Sequence, residues 1–161
     1  MANHHHEIRF QRFEDSSELE AFEAELLAHA LTAAKQAYAP FSRFHVGCAV
    51  RLADASIVLG NNQENRAFPS GLCAERTALF HLGSIGKGHL VRTIAIRAYS
   101  EKKDIPVPVT PCGACRQVMV EYEQLGGNPW VVLMQGSSGH ILRVTGVQSS
   151  LLPFGFDIDF E

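Results

Sequence analysis

A chain of 161 residues, 46% hydrophobic and 19% charged, has the composition of a globular protein and enough length for one well-buried core. Its formal net charge of −3 offers no general attraction to nucleic acid or to an anionic membrane, and no apolar run approaches the roughly 20 residues of a membrane helix. Four cysteines in a chain without a signal-peptide pattern, hence expected in the cytoplasm, point to metal ligation or catalysis rather than disulfides.

Residues 1–15 read as a flexible leader, in which the adjacent His4, His5 and His6 cannot easily converge on one ion, and residues 16–161 as a single domain. From an N-cap at Ser16 or Ser17, apolar residues at Leu19, Phe22, Leu26, Leu27, Ala30, Leu31, Ala34 and Ala37 predict a helix running to Tyr38 and ended by Pro40. The stretch His45–Leu52 reads as a strand, Asp54-Ala55-Ser56 as a turn and Ile57–Gly60 as the returning strand of a hairpin. Five polar residues, Asn61 to Asn65, follow the second strand, the position from which loops often face a ligand. Past the break at Pro69-Ser70-Gly71 come a helix from Cys73 to about Ile85, a strand from Arg92 to Tyr99, and a loop from Lys102 to Pro108. A further helix from Gly113 to Gln124 precedes two strands, Trp130–Met134 and His140–Val144. The order predicts a three-layer α/β/α sandwich around a five-stranded mixed sheet. Cys48 is expected in the core, and His45, at a strand edge, is expected to be exposed.

The chemistry concentrates in Cys73-Ala74-Glu75-Arg76 and Pro111-Cys112-Gly113-Ala114-Cys115-Arg116. Three thiolates form a strong zinc donor set and leave one tetrahedral position open, as in catalytic zinc sites. Partial positive charge at the two predicted helix N-termini favours the thiolate form. Glu75, two residues beyond Cys73, reaches the same cavity without ligating, which suits a general base that later serves as general acid. Three thiolates on a dication sum to −1, and either Arg76 or Arg116 could offset that charge. A structural zinc module is the blander alternative, but it needs a fourth protein ligand and leaves Glu75 idle.

Beyond these motifs, Tyr38-Ala39-Pro40-Phe41-Ser42-Arg43-Phe44, Gly60-Asn61-Asn62-Gln63-Glu64-Asn65 and Leu151-Leu152-Pro153 extend a resemblance to the short zinc-dependent cytidine deaminases, from about residue 20 onward. The resemblance implies one zinc per subunit held by Cys73, Cys112 and Cys115, with Glu75 catalytic; Arg76, directly after Glu75 on the buried side of the site, is expected from its position to support the zinc site. The resemblance further implies that Asn62 and Glu64 hold the ribose hydroxyls, Phe44 packs on the pyrimidine, and the Ala74 backbone contacts the base. It also implies a homotetramer in which an aromatic side chain of a neighbouring subunit, Phe156 or else Phe154, closes the pocket. The implied reaction converts free cytidine and 2′-deoxycytidine to the corresponding uridines and ammonia, in pyrimidine salvage. Another aminopyrimidine nucleoside, such as a nucleoside antibiotic, is the alternative substrate. Arg66 and the Phe68–Leu72 loop depart from the commonest family pattern and bear on fine substrate preference.

Overall fold

Strand β2 (Phe44–Leu52) is buried along most of its length on both faces, as its nearly unbroken apolar run requires of a central strand. The computed structural model describes residues 3–157, so the ends of the stretches read as leader and as domain, residues 1–2 and 158–161, lie outside the described residues. Antiparallel to β2 run β3 (Ile57–Asn61), with Cys48 opposite Gly60, and β4 (Val91–Ser100), with Cys48 opposite Ile96. β5 (Val131–Gln135) lies parallel to β4, and β6 (Ile141–Thr145) antiparallel to β5. The strand order β1-β6-β5-β4-β2-β3 is completed by β1 (Phe10–Phe13), which pairs antiparallel with β6.

Helix α1 (Ala21–Ala34) covers one face of the sheet, packing Leu26, Leu27 and Ala30 on Ala49, Ala95, Leu133 and Ile141. The other face carries α2 (Ala74–Ser84) and α3 (Gly113–Gly126), which bury Ala78, Leu79, Leu82, Met119 and Val120 with Cys48, Ile94, Ile96 and Trp130. Two glycines set how closely these layers approach. A Cβ at Gly47 would collide with the Ala30 carbonyl of α1, and one at Gly60 would lie 2.5 Å from the Ala74 carbonyl oxygen of α2. Both helices are therefore drawn down onto the β2–β3 hairpin.

The layered α/β/α sandwich stands, but its sheet has six strands instead of five. The extra strand, β1, falls inside the stretch read as leader. Its four residues are too few for a periodic signal, and its partner β6 lies some 130 positions away in sequence. The bond that secures this corner is equally non-local: buried Glu23 of α1 accepts from Arg143 Nε at 2.9 Å, while Arg143 Nη1 donates to Gln11 at 2.7 Å.

The first helix is also shorter than predicted. Asp15 accepts from the Ser17 amide at 2.6 Å and caps a separate 3₁₀ turn over Ser16–Glu18, so α1 starts only at Ala21. It ends at Ala34, well before Pro40, because Tyr38 is drawn into extended pairing: its amide donates to Asn62 O at 3.1 Å and its carbonyl accepts from the Glu64 amide at 2.8 Å. A fourth helix, α4 (Val147–Leu151), was not expected. Its N-terminal amides, at Val147 and Gln148, donate to the buried carboxylate of Glu123 on α3, which also accepts from Trp130 N at 2.7 Å.

Candidate active site

Cys73 and Cys112 occupy equivalent places, each the N-cap residue of its helix, α2 and α3, in extended backbone and with no side-chain capping bond. Both sulfurs are thus free to converge with Cys115, which lies in the first turn of α3. The Sγ atoms of Cys73 and Cys112 are 3.8 Å apart, those of Cys112 and Cys115 3.5 Å, and all three lie within 4.8 Å of one another. Tetrahedral zinc with sulfur ligands at about 2.3 Å needs S···S separations of about 3.8 Å, so these donors fit zinc. The hydrogen bond from Cys115, aided by Arg76 and Cys112 and opposed by burial, pulls the Cys73 thiol down to about 5. Cys115 is pushed the other way by that same hydrogen bond and by its burial.

Glu75 is 4% exposed on the first turn of α2 and lines the cavity beside Cys73. Burial, reinforced by the nearby charge of Cys73, raises its carboxyl to about 7, where it can both take up and release a proton near neutrality. The two candidate arginines behave differently. Arg76 Nη2 donates to Cys73 Sγ at 3.5 Å, whereas the Arg116 side chain, among the described residues, donates only to Pro111 O, Leu151 O and Thr110 Oγ1 and to none of the three cysteine sulfurs.

A cavity of about 820 Å³ opens above the sulfurs. Its other wall comes from the end of β3 and the start of β2, and bears Asn62, Glu64 and Phe44. Asn62 is locked at both ends of its amide: Oδ1 accepts from Val46 N at 2.7 Å and Nδ2 donates to Phe44 O at 2.9 Å. Glu64 Oε2 accepts from the amides of Phe41 at 2.8 Å and Ser42 at 3.3 Å, which holds the aromatic loop in place. Partial desolvation works against its charge, but the hydrogen bonds from Ser42 and Phe41 outweigh it and the carboxyl is lowered. Reciprocal backbone bonds of 2.9 Å between Gln63 and Leu72 tie this wall to the segment entering α2. Among the described residues no lysine, arginine or histidine lines the cavity.

Cys73, Cys112, Glu75, Phe44, Asn62 and Glu64 thus share one cavity, with Cys115 buried beneath. Ala74 is fully buried and forms no part of the wall, and Phe156 lies on the tail along α3. There the Gln117 amide bonds both Phe156 N and O at 2.8 Å, and Phe156 is 64% exposed; Phe154 is 92% exposed. The reading of the residues missed Phe41, Phe68, Val109 and Thr110, all on the wall, with Phe41 and Phe68 edge-on at 5.9 Å. The aromatics flanking Phe44 and the polar run were their only sequence signal. His45 is corrected: it is 8% exposed, stacked on Tyr99 at 4.7 Å, with Nε2 3.0 Å from Glu101 Oε1. An inner strand neighbour, β4, covers the edge at which it was expected to meet solvent. Cys48 is fully buried, as expected.

Comparison with known proteins bears on the same residues. The family model described as the cytidine and deoxycytidylate deaminase zinc-binding region matches residues 21–126, which include all three cysteines and Glu75. A cytidine deaminase of Halalkalibacterium halodurans is 40% identical over 131 residues, 81% of this chain and 91% of that one. A cytidine deaminase of Mycobacterium tuberculosis is 34% identical over 134 residues, 83% and 89% of the two chains. The crystal structure of a cytidine deaminase from Burkholderia pseudomallei superposes with a TM-score of 0.70 at 38% identity, covering 82% of this chain and 97% of that one. Agreement in fold, over most of both chains and across the paired cysteine helices, places this chain in the family of zinc-dependent cytidine deaminases.

Proposed function

We propose that this protein hydrolyses the exocyclic amine of free cytidine and 2′-deoxycytidine, giving uridine or 2′-deoxyuridine and ammonia, in pyrimidine salvage in the cytoplasm. One observation carries the reading: Glu75 and the three sulfurs stand at one wall of a cavity whose other wall bears Phe44, Asn62 and Glu64. The family includes enzymes of nucleosides and of nucleotides, and the wall favours the former. Among the described residues the lining offers no cation to a 5′-phosphate, whose charge would go unpaired, while neutral ribose hydroxyls can donate to the Glu64 carboxylate.

The sulfurs of Cys73, Cys112 and Cys115 would hold zinc, which would supply a Lewis acid that makes a bound water far more acidic than bulk water. Glu75 takes the water's proton and delivers it to N3 of the pyrimidine, making C4 electrophilic. Once the hydroxyl has added at C4, Glu75 takes its remaining proton and passes it to the amino group, which leaves as ammonia while the C4 carbonyl forms. Arg76 offsets the negative charge of the sulfur cluster through Cys73. Phe44 stacks on the base, and Asn62 and Glu64 orient the ribose; the Ala74 backbone, fully buried behind the wall, is not part of this reading.

The same proposal includes a homotetramer in which Phe156 of a neighbouring subunit closes the pocket. Its support is a tail whose backbone is pinned while its aromatic ring projects, and a cavity mouth carrying exposed Phe41 and Phe68. The zinc-loaded protein should be given cytidine, deoxycytidine, a cytidine 5′-monophosphate and a cytosine oligonucleotide, and ammonia release followed. Turnover of the two nucleosides alone is expected; preferential turnover of the nucleotide or of the oligonucleotide would overturn the reading.

A further inference from the structure

Arg116 follows a zinc cysteine in sequence yet turns its guanidinium away from the sulfurs. Nε donates to Pro111 O at 2.8 Å, Nη1 to Leu151 O at 3.0 Å, and Nη2 to Thr110 Oγ1 at 3.4 Å. The Pro111 carbonyl belongs to the peptide that enters Cys112, so one side chain on the turn bearing Cys115 grips the backbone beside another sulfur donor. Among the described residues, Arg116 makes every hydrogen bond that Thr110 and Pro111 receive or give. Nothing else of that kind fixes the segment leading into Cys112.

The third contact reaches outside the site. Leu151 ends α4, and its carbonyl is one of the helix's C-terminal orphans, an acceptor that favours a cation. The opposite end of α4 is held by Glu123, through Val147 N at 2.8 Å and Gln148 N at 3.1 Å. A continuous path therefore runs from the buried Glu123 carboxylate through α4 to Arg116, and from Arg116 to Pro111 and Cys112.

We propose that Arg116 is a positioning residue for zinc retention. Its planar fork latches the Thr110–Cys112 segment to the end of α4 and so keeps the Cys112 sulfur at the distance the metal needs. Arg76 acts on a sulfur directly; Arg116 acts through the backbone. The proposal rests on the zinc site alone and not on the nucleoside reading, since its measurement requires no substrate.

Zinc transfer from the full-length, zinc-loaded protein to a colorimetric chelator at neutral pH tests it, using wild type, Arg116→Ala and Arg116→Lys. Arg116→Ala should release zinc about 10–100-fold faster while its circular dichroism stays that of the wild type. Lysine keeps the charge but, as a point donor, cannot span both carbonyls, so Arg116→Lys should also release zinc at least about threefold faster than wild type. Cobalt-substituted Arg116→Lys should show altered thiolate-to-cobalt absorption, a signature that a loss of fold stability alone does not produce. A folded variant with lowered thermal stability but wild-type release would overturn the proposal. Should Arg116→Ala fail to fold, wild-type release and cobalt absorption in folded Arg116→Lys would overturn it equally.

Discussion

The guanidinium of Arg76 lies 3.5 Å from the sulfur of Cys73, one helical turn back on α2, and the buried Nε of the same side chain has no partner among the described residues. That placement makes Arg76 the arginine that senses the charge of the sulfur cluster. Arg76→Gln removes the positive charge and should lower kcat about 10–100-fold in steady-state assays while changing KM far less. A change confined to KM would show that Arg76 serves the substrate and not the metal.

Among the described residues, Glu75 is the acidic side chain that lines the cavity next to Cys73, and it is 4% exposed. Glu75→Gln preserves shape but cannot carry a proton, so turnover should fall about 10²–10⁴-fold. Metal analysis of the same sample should still find one zinc per chain.

Under the proposed function Glu64 would join recognition to loop structure, because Oε2 holds the amides of Phe41 and Ser42 and Oε1 is left for a ribose hydroxyl. Losing a charge-assisted bond of about 1.5–3 kcal/mol, Glu64→Gln should weaken uridine binding about 10–100-fold in calorimetry. Because its carboxyl is lowered, the ionised form is fully present at neutral pH and is lost as pH falls through the lowered value. Uridine affinity in the wild type should accordingly be undiminished by this group at neutral pH and fall only in the acid range, as Glu64 takes up its proton.

Glu123 satisfies the amides of Trp130, Val147 and Gln148 from a position that is 8% exposed. Glu123→Ala strands the buried amides of Trp130 and Val147 and the half-buried amide of Gln148, and each unmet buried donor costs about 1–3 kcal/mol. Urea denaturation should register a loss of about 3 kcal/mol or more. Glu123→Gln retains acceptor capacity and should lose less.

The sulfur cluster was legible in the sequence because each half is local: a cysteine at a helix start, then a Cys-x-x-Cys pair one helical turn apart, with Glu75 two residues from Cys73. The apolar run of β2 and the spacing of α2 and α3 were legible for the same reason, since strand and helix periodicity is carried by neighbouring residues. Strand β1, helix α4 and the end of α1 were not, because each depends on a distant partner: β1 on β6, α4 on the carboxylate of Glu123, and the end of α1 on the pairing of Tyr38 with the Asn62–Glu64 segment. His45 was misjudged because its environment comes from Tyr99 and Glu101, more than fifty residues away.

Sequence alone determined which atoms could bind metal and move protons, since ligand chemistry depends on residue type and short-range spacing. Only the tertiary structure decided how those atoms are used. It separated Arg76 from Arg116, turned Asn62 and Glu64 into one wall of a cavity while their hydrogen bonds also hold the loop, and drew both cysteine helices together over the sheet. The reason is physical: a hydrogen bond of about 3 Å is made or lost by how the chain folds back on itself, and nothing in local periodicity records that distance.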